Sequence, residues 1–191
     1  TDTTVTMNIA QSIHNNGRIS ISSSSADIYT FGSSITTSGL LQAFRGGSTP
    51  DNILQVIYTV SELQAAGMLP NDLIDSIYLS FYFRGSTAAY QNFAISYAQI
   101  PAAQDQFVSN DPLLGVTPVY SNAALIIGAP SNGVYTAYNA TSGLLKLPAT
   151  NFRWDGVSNI LLQICYDMTA GTPGGNDFMY LSSTAPRKSM L

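Results

Sequence analysis

The chain has 191 residues, seven basic and eleven acidic, so that only 9% are charged and the net charge is −4. Soluble domains usually carry ~25% charged residues, but the 45% hydrophobic content excludes a charged disordered tail. The basic residues (Arg18, Arg45, Arg84, Lys146, Arg153, Arg187, Lys188) form no stripe that would neutralise phosphates, which argues against nucleic-acid binding. No apolar run reaches the ~18 residues of a membrane span. The surface must therefore be built from Ser, Thr, Asn, Gln, Gly and Tyr. A chain of this size buries roughly 70% of its unfolded surface, enough for one well-filled core. The start at Thr1, without Met or a leader, reads as a processed chain. One cysteine, Cys165, excludes an internal disulfide and a cysteine-based zinc site.

In chain order, Val5, Met7 and Ile9 alternate with Thr4, Thr6 and Asn8, the period of a half-buried strand. His14-Asn15-Asn16-Gly17 is a turn signal and Arg18 to Ser22 alternates again, so residues 4–22 are expected to form a hairpin. Ile28 to Phe31 and Leu40 to Phe44 read as short strands, and Gly46 to Pro50 as a linker. Ser61 to Met68 has helix formers, a capping Ser61 and Gly67 as a stop, giving one short helix. Ile74 to Arg84 is the strongest strand, with Ile77, Leu79, Phe81 and Phe83 on one face and Tyr78, Ser80 and Tyr82 on the other. Asn92 to Ile100 alternates too. Residues 101–115 read as a loop. Strands are expected at 117–121, 123–127, 133–138, 143–147, 151–154, 158–166 and 178–181, with a tail from Thr184. The apolar run through Ile160, Leu162 and Ile164 predicts a strand buried on both sides.

Many short strands with regular turns predict an all-β fold, an antiparallel β-sandwich of jelly-roll or immunoglobulin-like type with one short helix. Residues 1–50 are read as an arm and hairpin region joined to the same sandwich, and 51–191 as the sandwich. Trp154, Phe81, Phe93, Ile160, Leu162 and Ile164 are the expected core.

Five sequence blocks carry a resemblance. Tyr58 to Met68 followed by Ile74-Asp75-Ser76-Ile77, then Tyr90 to Ile95, then Thr117-Pro118-Val119-Tyr120, then Phe152 to Asn159, then the strand closing at Cys165-Tyr166-Asp167, resemble in order a β-sandwich module of Bacteroidetes cell-surface and secreted proteins. Such modules occur in gliding and adhesion proteins exported by the type IX pathway. The resemblance spans about residues 52–182 and leaves the first fifty uncovered; residues 102–115 depart from it with a longer segment. It implies an extracellular location and a jelly-roll or immunoglobulin-like sandwich, without a chemistry.

Each conspicuous residue has a structural and a functional reading. Trp154, beside Asp155-Gly156, is a possible ligand-facing aromatic for a sugar, or it caps the core while Asp155-Gly156 turns the chain and Asn159 bonds to loop backbone. The eleven tyrosines read as a glycan platform or as the apolar-polar surface of a weakly charged sandwich. His14 is the lone histidine, with no Gly-x-Ser-x-Gly elbow for a triad. Asp105, Asp111, Asp167, Asn176 and Asp177 are loop oxygens for calcium without the spacing of a calcium loop. Cys165 reads as a buried inert thiol. Asn139-Ala140-Thr141 fits an N-glycosylation acceptor, and Asp2-Thr3-Thr4 resembles the O-glycosylation acceptor of Bacteroidetes.

The expected function is a non-catalytic, extracellular structural or adhesive sandwich, with no cofactor and no metal. Its partners are itself, through strand addition by the arm Val5, Met7 and Ile9, or surface glycans and other surface proteins. The alternatives are a carbohydrate-binding module and a hydrolase with a sparse site.

Overall fold

The computed structural model describes residues 19–23, 28–30, 44, 51–84, 88–108, 111–127, 135–138, 143–167, 177–179 and 189–190. Within them the strands are β1 (Ile19–Ser23), β2 (Ile28–Thr30), β3 (Asp51–Tyr58), β4 (Leu73–Arg84), β5 (Tyr90–Ile100), β6 (Thr117–Leu125), β7 (Tyr135–Tyr138), β8 (Gly143–Arg153), β9 (Asn159–Asp167), β10 (Asp177–Met179) and β11 (Ser189–Met190); the one helix is α1 (Val60–Ala65). All pairings are antiparallel. One sheet runs β2-β1-β4-β8-β7, and the other β11-β3-β9-β5-β6. Phe81 pairs with Gly143 on one side and Met179 on the other, so β10 follows β1 along the same edge of β4. The fold is the expected sandwich-like all-β architecture.

Alternation puts one side of each sheet into a shared core. Ile74, Ile77, Leu79, Leu145, Leu147, Phe152 and Trp154 from the first sheet meet Leu54, Phe93, Ile95, Ile160, Leu162, Ile164 and Tyr166 from the second. Five of the six expected core residues are buried there; Phe81 lies on β4, and its side chain is outside the described residues. One end is aromatic: Phe44, Tyr90, Phe93 and Tyr166 pack with ring centroids 4.7–6.3 Å apart, in stacked and edge-on geometries.

Several boundaries differ from expectation. Ser20–Ser22 of β1 pair with β2 on one edge and β4 on the other. Both edges of β1 are thus occupied at Ser20–Ser22, and the expected hairpin strand at residues 4–13 lies outside the described residues. Residues 1–18 themselves, with Val5, Met7, Ile9 and His14, lie outside the described residues; so do Asn139 and Asn176. The two strands expected at 117–127 are one, as are those at 143–154. In β8, Pro148 is tolerated because it is exposed and sits at a register shift opposite β4. The tail contributes β11.

The helix is capped by Thr59, not Ser61. The Thr59 hydroxyl accepts from the Glu62 amide at 3.4 Å while the Glu62 carboxylate accepts from the Thr59 amide at 2.9 Å, a reciprocal capping box. It ends at Gly67, whose φ of +97° lets the Gly67 amide reach Gln64 O and the Met68 amide reach Leu63 O. Burial, with the Glu62 charge second, holds the Tyr58 phenol well above its usual pKa.

Candidate functional site

Residues 154–159 build one pole of the sandwich. Trp154 is fully buried, its indole N–H donating to Ser158 O at 2.7 Å. It presents no face to a ligand, which corrects the reading of Trp154 as a ligand-facing aromatic: filling the core over the β8–β9 turn consumes both ring and N–H. Asp155 accepts from the amides of Val157 and Ser158 at 2.9 and 2.8 Å and from the Ser158 hydroxyl at 2.6 Å. Partial burial pushes its pKa up, but these hydrogen bonds outweigh it, and the net shift is down. Asn159 is buried; its Oδ1 accepts from the Val60 amide, and its Nδ2 faces the carbonyls of Pro101, Ala102 and Gln104 at 3.5, 3.2 and 3.0 Å. It therefore bonds to loop backbone, tying α1 and the 101–104 turn to β9. The 69–72 turn joins the pole through Asn71 N to Trp154 O and Trp154 N to Asp72 O.

The segment that departs from the resemblance has a structural job. Residues 101–108 and 111–116 lie over the outer face of the β3-β9-β5-β6 sheet, where Phe107 packs on Ile57, Ile100 and Leu161 with Leu113 and Val116 beside them. The strap is pinned by Gln55, whose side chain is fully buried. Its Nε2 donates to Leu113 O, its Oε1 accepts from the Leu113 amide, both at 2.8 Å, and its second N–H reaches Gln163 Oε1 at 2.7 Å. The carboxamide thus imitates a strand pairing with one residue of the strap. Sequence reasoning missed Gln55 and Leu113: 58 positions separate them, and no local pattern joins them.

The strap covers only part of this face. Ile53, Cys165, Ala94 and Ser121 form a crosswise row by their registers, and each retains solvent exposure. Cys165 is therefore a half-exposed thiol on the outer face, not the buried one expected. Burial first, and the Asp167 charge second, raise its pKa.

The two edges of this sheet differ. β6 is uncharged, but Pro118 lacks an N–H and the Ala124 amide is taken by Asn122 Oδ1 at 3.0 Å, while Asn122 Nδ2 donates to Tyr120 OH. β3 has eight residues, of which β11 pairs only with Gln55 and Val56.

Of the loop oxygens weighed for calcium, Asn176 lies outside the described residues, and Asp167 and Asp177 have other partners. Asp177 is buried at the aromatic end and accepts from Tyr90 OH at 2.7 Å, and Asp167 accepts from Asn92 Nδ2 at 2.8 Å. Among the described residues no group of three or more His, Cys, Asp or Glu stands together, and no helix is long and apolar enough to cross a membrane. No family model, no curated protein and no solved structure matches the chain.

Proposed function

We propose that this chain is an extracellular structural and adhesive module of a bacterial cell surface that works by assembling with copies of itself. The observation that carries the reading is that the block most specific to the Bacteroidetes resemblance, Phe152 to Asn159, is used in building the fold: ring, carboxylate and carboxamide each hold a turn or cap a strand. A shared motif of this sort transmits an architecture, and function then resides on surfaces and edges. Low charge supports self-association, because uncharged β-surfaces meet without desolvating ions. Of the edges of the five-stranded sheet, β3 is the better acceptor for strand addition, since β6 is blunted by Pro118 and Asn122. The donor in this reading is the arm containing Val5, Met7 and Ile9, whose hairpin partner β1 is already paired on both edges at Ser20–Ser22. The burial of Trp154 takes away the aromatic that the carbohydrate-binding alternative relied on most.

The test has two arms. Protease shaving of intact producing cells is expected to release the protein, and full protection in intact cells overturns the extracellular reading. Light scattering on the full chain is expected to show assemblies larger than a dimer that vanish when residues 1–13 are removed; assemblies unchanged by the deletion overturn arm exchange.

A further inference from the structure

The outer face of the β3-β9-β5-β6 sheet has a step in it. One half is raised by the strap, which displays Leu114 at 89% and Val108 at 83% exposure. The other half is the low row of Ile53, Cys165, Ala94 and Ser121, with Ile53 42% exposed. Leu113 sits on Gln55, two residues along β3 from Ile53, so the apolar ridge directly borders the apolar shelf. No charged residue stands on that row; the nearest acids, Asp51 and Asp167, are register partners in the next row towards the sheet end, and Asp167 accepts from Asn92 Nδ2.

A ridge beside a shelf of the same character is self-complementary. A twofold axis lying in the interface and running across the strands, between the covered and the open half, sets each ridge on the other copy's shelf. At strand spacings of ~4.8 Å and rises of ~3.3 Å per residue, the face offers roughly 600–700 Å². A standard interface buries ~800 Å² per partner, so the area suits a reversible dimer at the lower end of that class. We propose that this face is a homodimer interface, with Leu114 of each copy packed on the Ile53–Cys165–Ala94 row of the other. The contact uses a sheet face where the strand-addition reading uses an edge, and neither requires the other.

Cys165, the chain's single cysteine, reports on the shelf directly. Its alkylation is followed at one fixed alkaline pH on protein from micromolar to millimolar concentration, beside sedimentation equilibrium. The same measurements are made on the chain lacking residues 1–13 and on Leu114→Arg and Ile53→Arg, with far-UV circular dichroism as the fold control. Leu114 is almost fully exposed, so Leu114→Arg leaves the fold intact even if Ile53→Arg does not. The expected result is a concentration-dependent dimer in which Cys165 reacts several-fold more slowly, retained after deletion of residues 1–13 and lost in Leu114→Arg. A monomer at every concentration, a dimer in which Cys165 reacts as fast as in the monomer, a dimer indifferent to Leu114→Arg, or one lost with residues 1–13 each overturns the proposal. The last outcome assigns assembly to the arm, so the two readings fail separately.

Discussion

The amide of Val60, at the start of α1, donates at 2.8 Å to the side-chain oxygen of Asn159, 99 positions later in the chain. On its other side the same carboxamide faces the carbonyls of Pro101, Ala102 and Gln104. One buried side chain thus satisfies an orphan N–H of a helix start and closes a loop onto a strand. Asn159→Ala is expected to destabilise the protein by about 2–4 kcal/mol, because buried partners lose their bonds without gaining water. Asn159→Asp is expected to be worse at neutral pH, since it turns an oxygen towards carbonyl oxygens. Urea denaturation measures both; a loss below about 1 kcal/mol for Asn159→Ala contradicts the hub role.

Gly156 lies against Pro70. Its φ is +85°, and a Cβ built there stands 2.5 Å from Pro70 Cγ and 3.1 Å from the proline Cα. The left-handed backbone alone disfavours any other residue by ~1 kcal/mol, and the rigid ring cannot swing aside. Gly156→Ala is therefore expected to cost about 2–4 kcal/mol. Pairing it with Pro70→Gly, which removes both the Cγ and the Cβ that stands 2.6 Å away, in a double-mutant cycle should recover most of the steric share and leave the backbone share.

The legible and the illegible parts of the fold divide along the range of the interactions. β4 and β5 announce themselves because Ile77 and Leu79, or Phe93 and Ile95, point into the core while their neighbours do not. β9 reads as buried on both sides; it is so from Asn159 to Leu162, with the strap over Leu161 and the core under Ile160 and Leu162, while Gln163 and Cys165 on the outer face are only half-buried. β3 escapes the periodicity, because the polar Gln55 in its middle is fully buried by a partner 58 residues away. β6 looks like two strands because Ser121 and Asn122 interrupt its apolar pattern, although on this edge strand Ser121 is exposed and the half-buried Asn122 bonds to Tyr120 OH and the Ala124 amide. The Thr59-x-x-Glu62 spacing is that of a capping box, and Ser61, two residues on, competes with it as a cap in the sequence. At the pole, the turn role of Asp155-Gly156 and the loop bonds of Asn159 were readable; the partners of Asn159 were not, since they come from two distant segments.

Gln55 makes a prediction that separates the strap from the core. Gln55→Leu keeps the volume but leaves the Leu113 N–H and C=O without their partner. The expected cost is about 2–3 kcal/mol, one buried donor and one acceptor losing their bonds. Native-state hydrogen exchange should show the Leu113 amide exchanging much faster, with the amides of β4 little changed. Equal loss of protection in both places would mean that the strap and the sandwich unfold as one unit.

Acid stability gives the last prediction, through Asp155. Burial is the largest single influence on its carboxyl and raises the pKa, but the hydrogen bonds from Ser158 Oγ and the amides of Val157 and Ser158 together outweigh it and hold the carboxylate below its usual pKa. The folded state therefore binds the proton less readily than the unfolded chain. The stabilisation is complete above the ordinary carboxylate pKa and is lost as pH falls through the lowered folded value. Because Asp155 is largely exposed, solvent screens the effect and keeps it small. Asp155→Asn retains an oxygen for the two amides but removes the charge that strengthens those bonds. The variant is expected to be slightly less stable than the native chain at pH near 7 and to converge on it as the pH falls through the lowered folded value, below which the native carboxyl is protonated too. Urea midpoints across that range test this. A difference that stays constant or widens towards acid would show that the loss on substitution comes from the turn's shape and not from the ionised carboxylate.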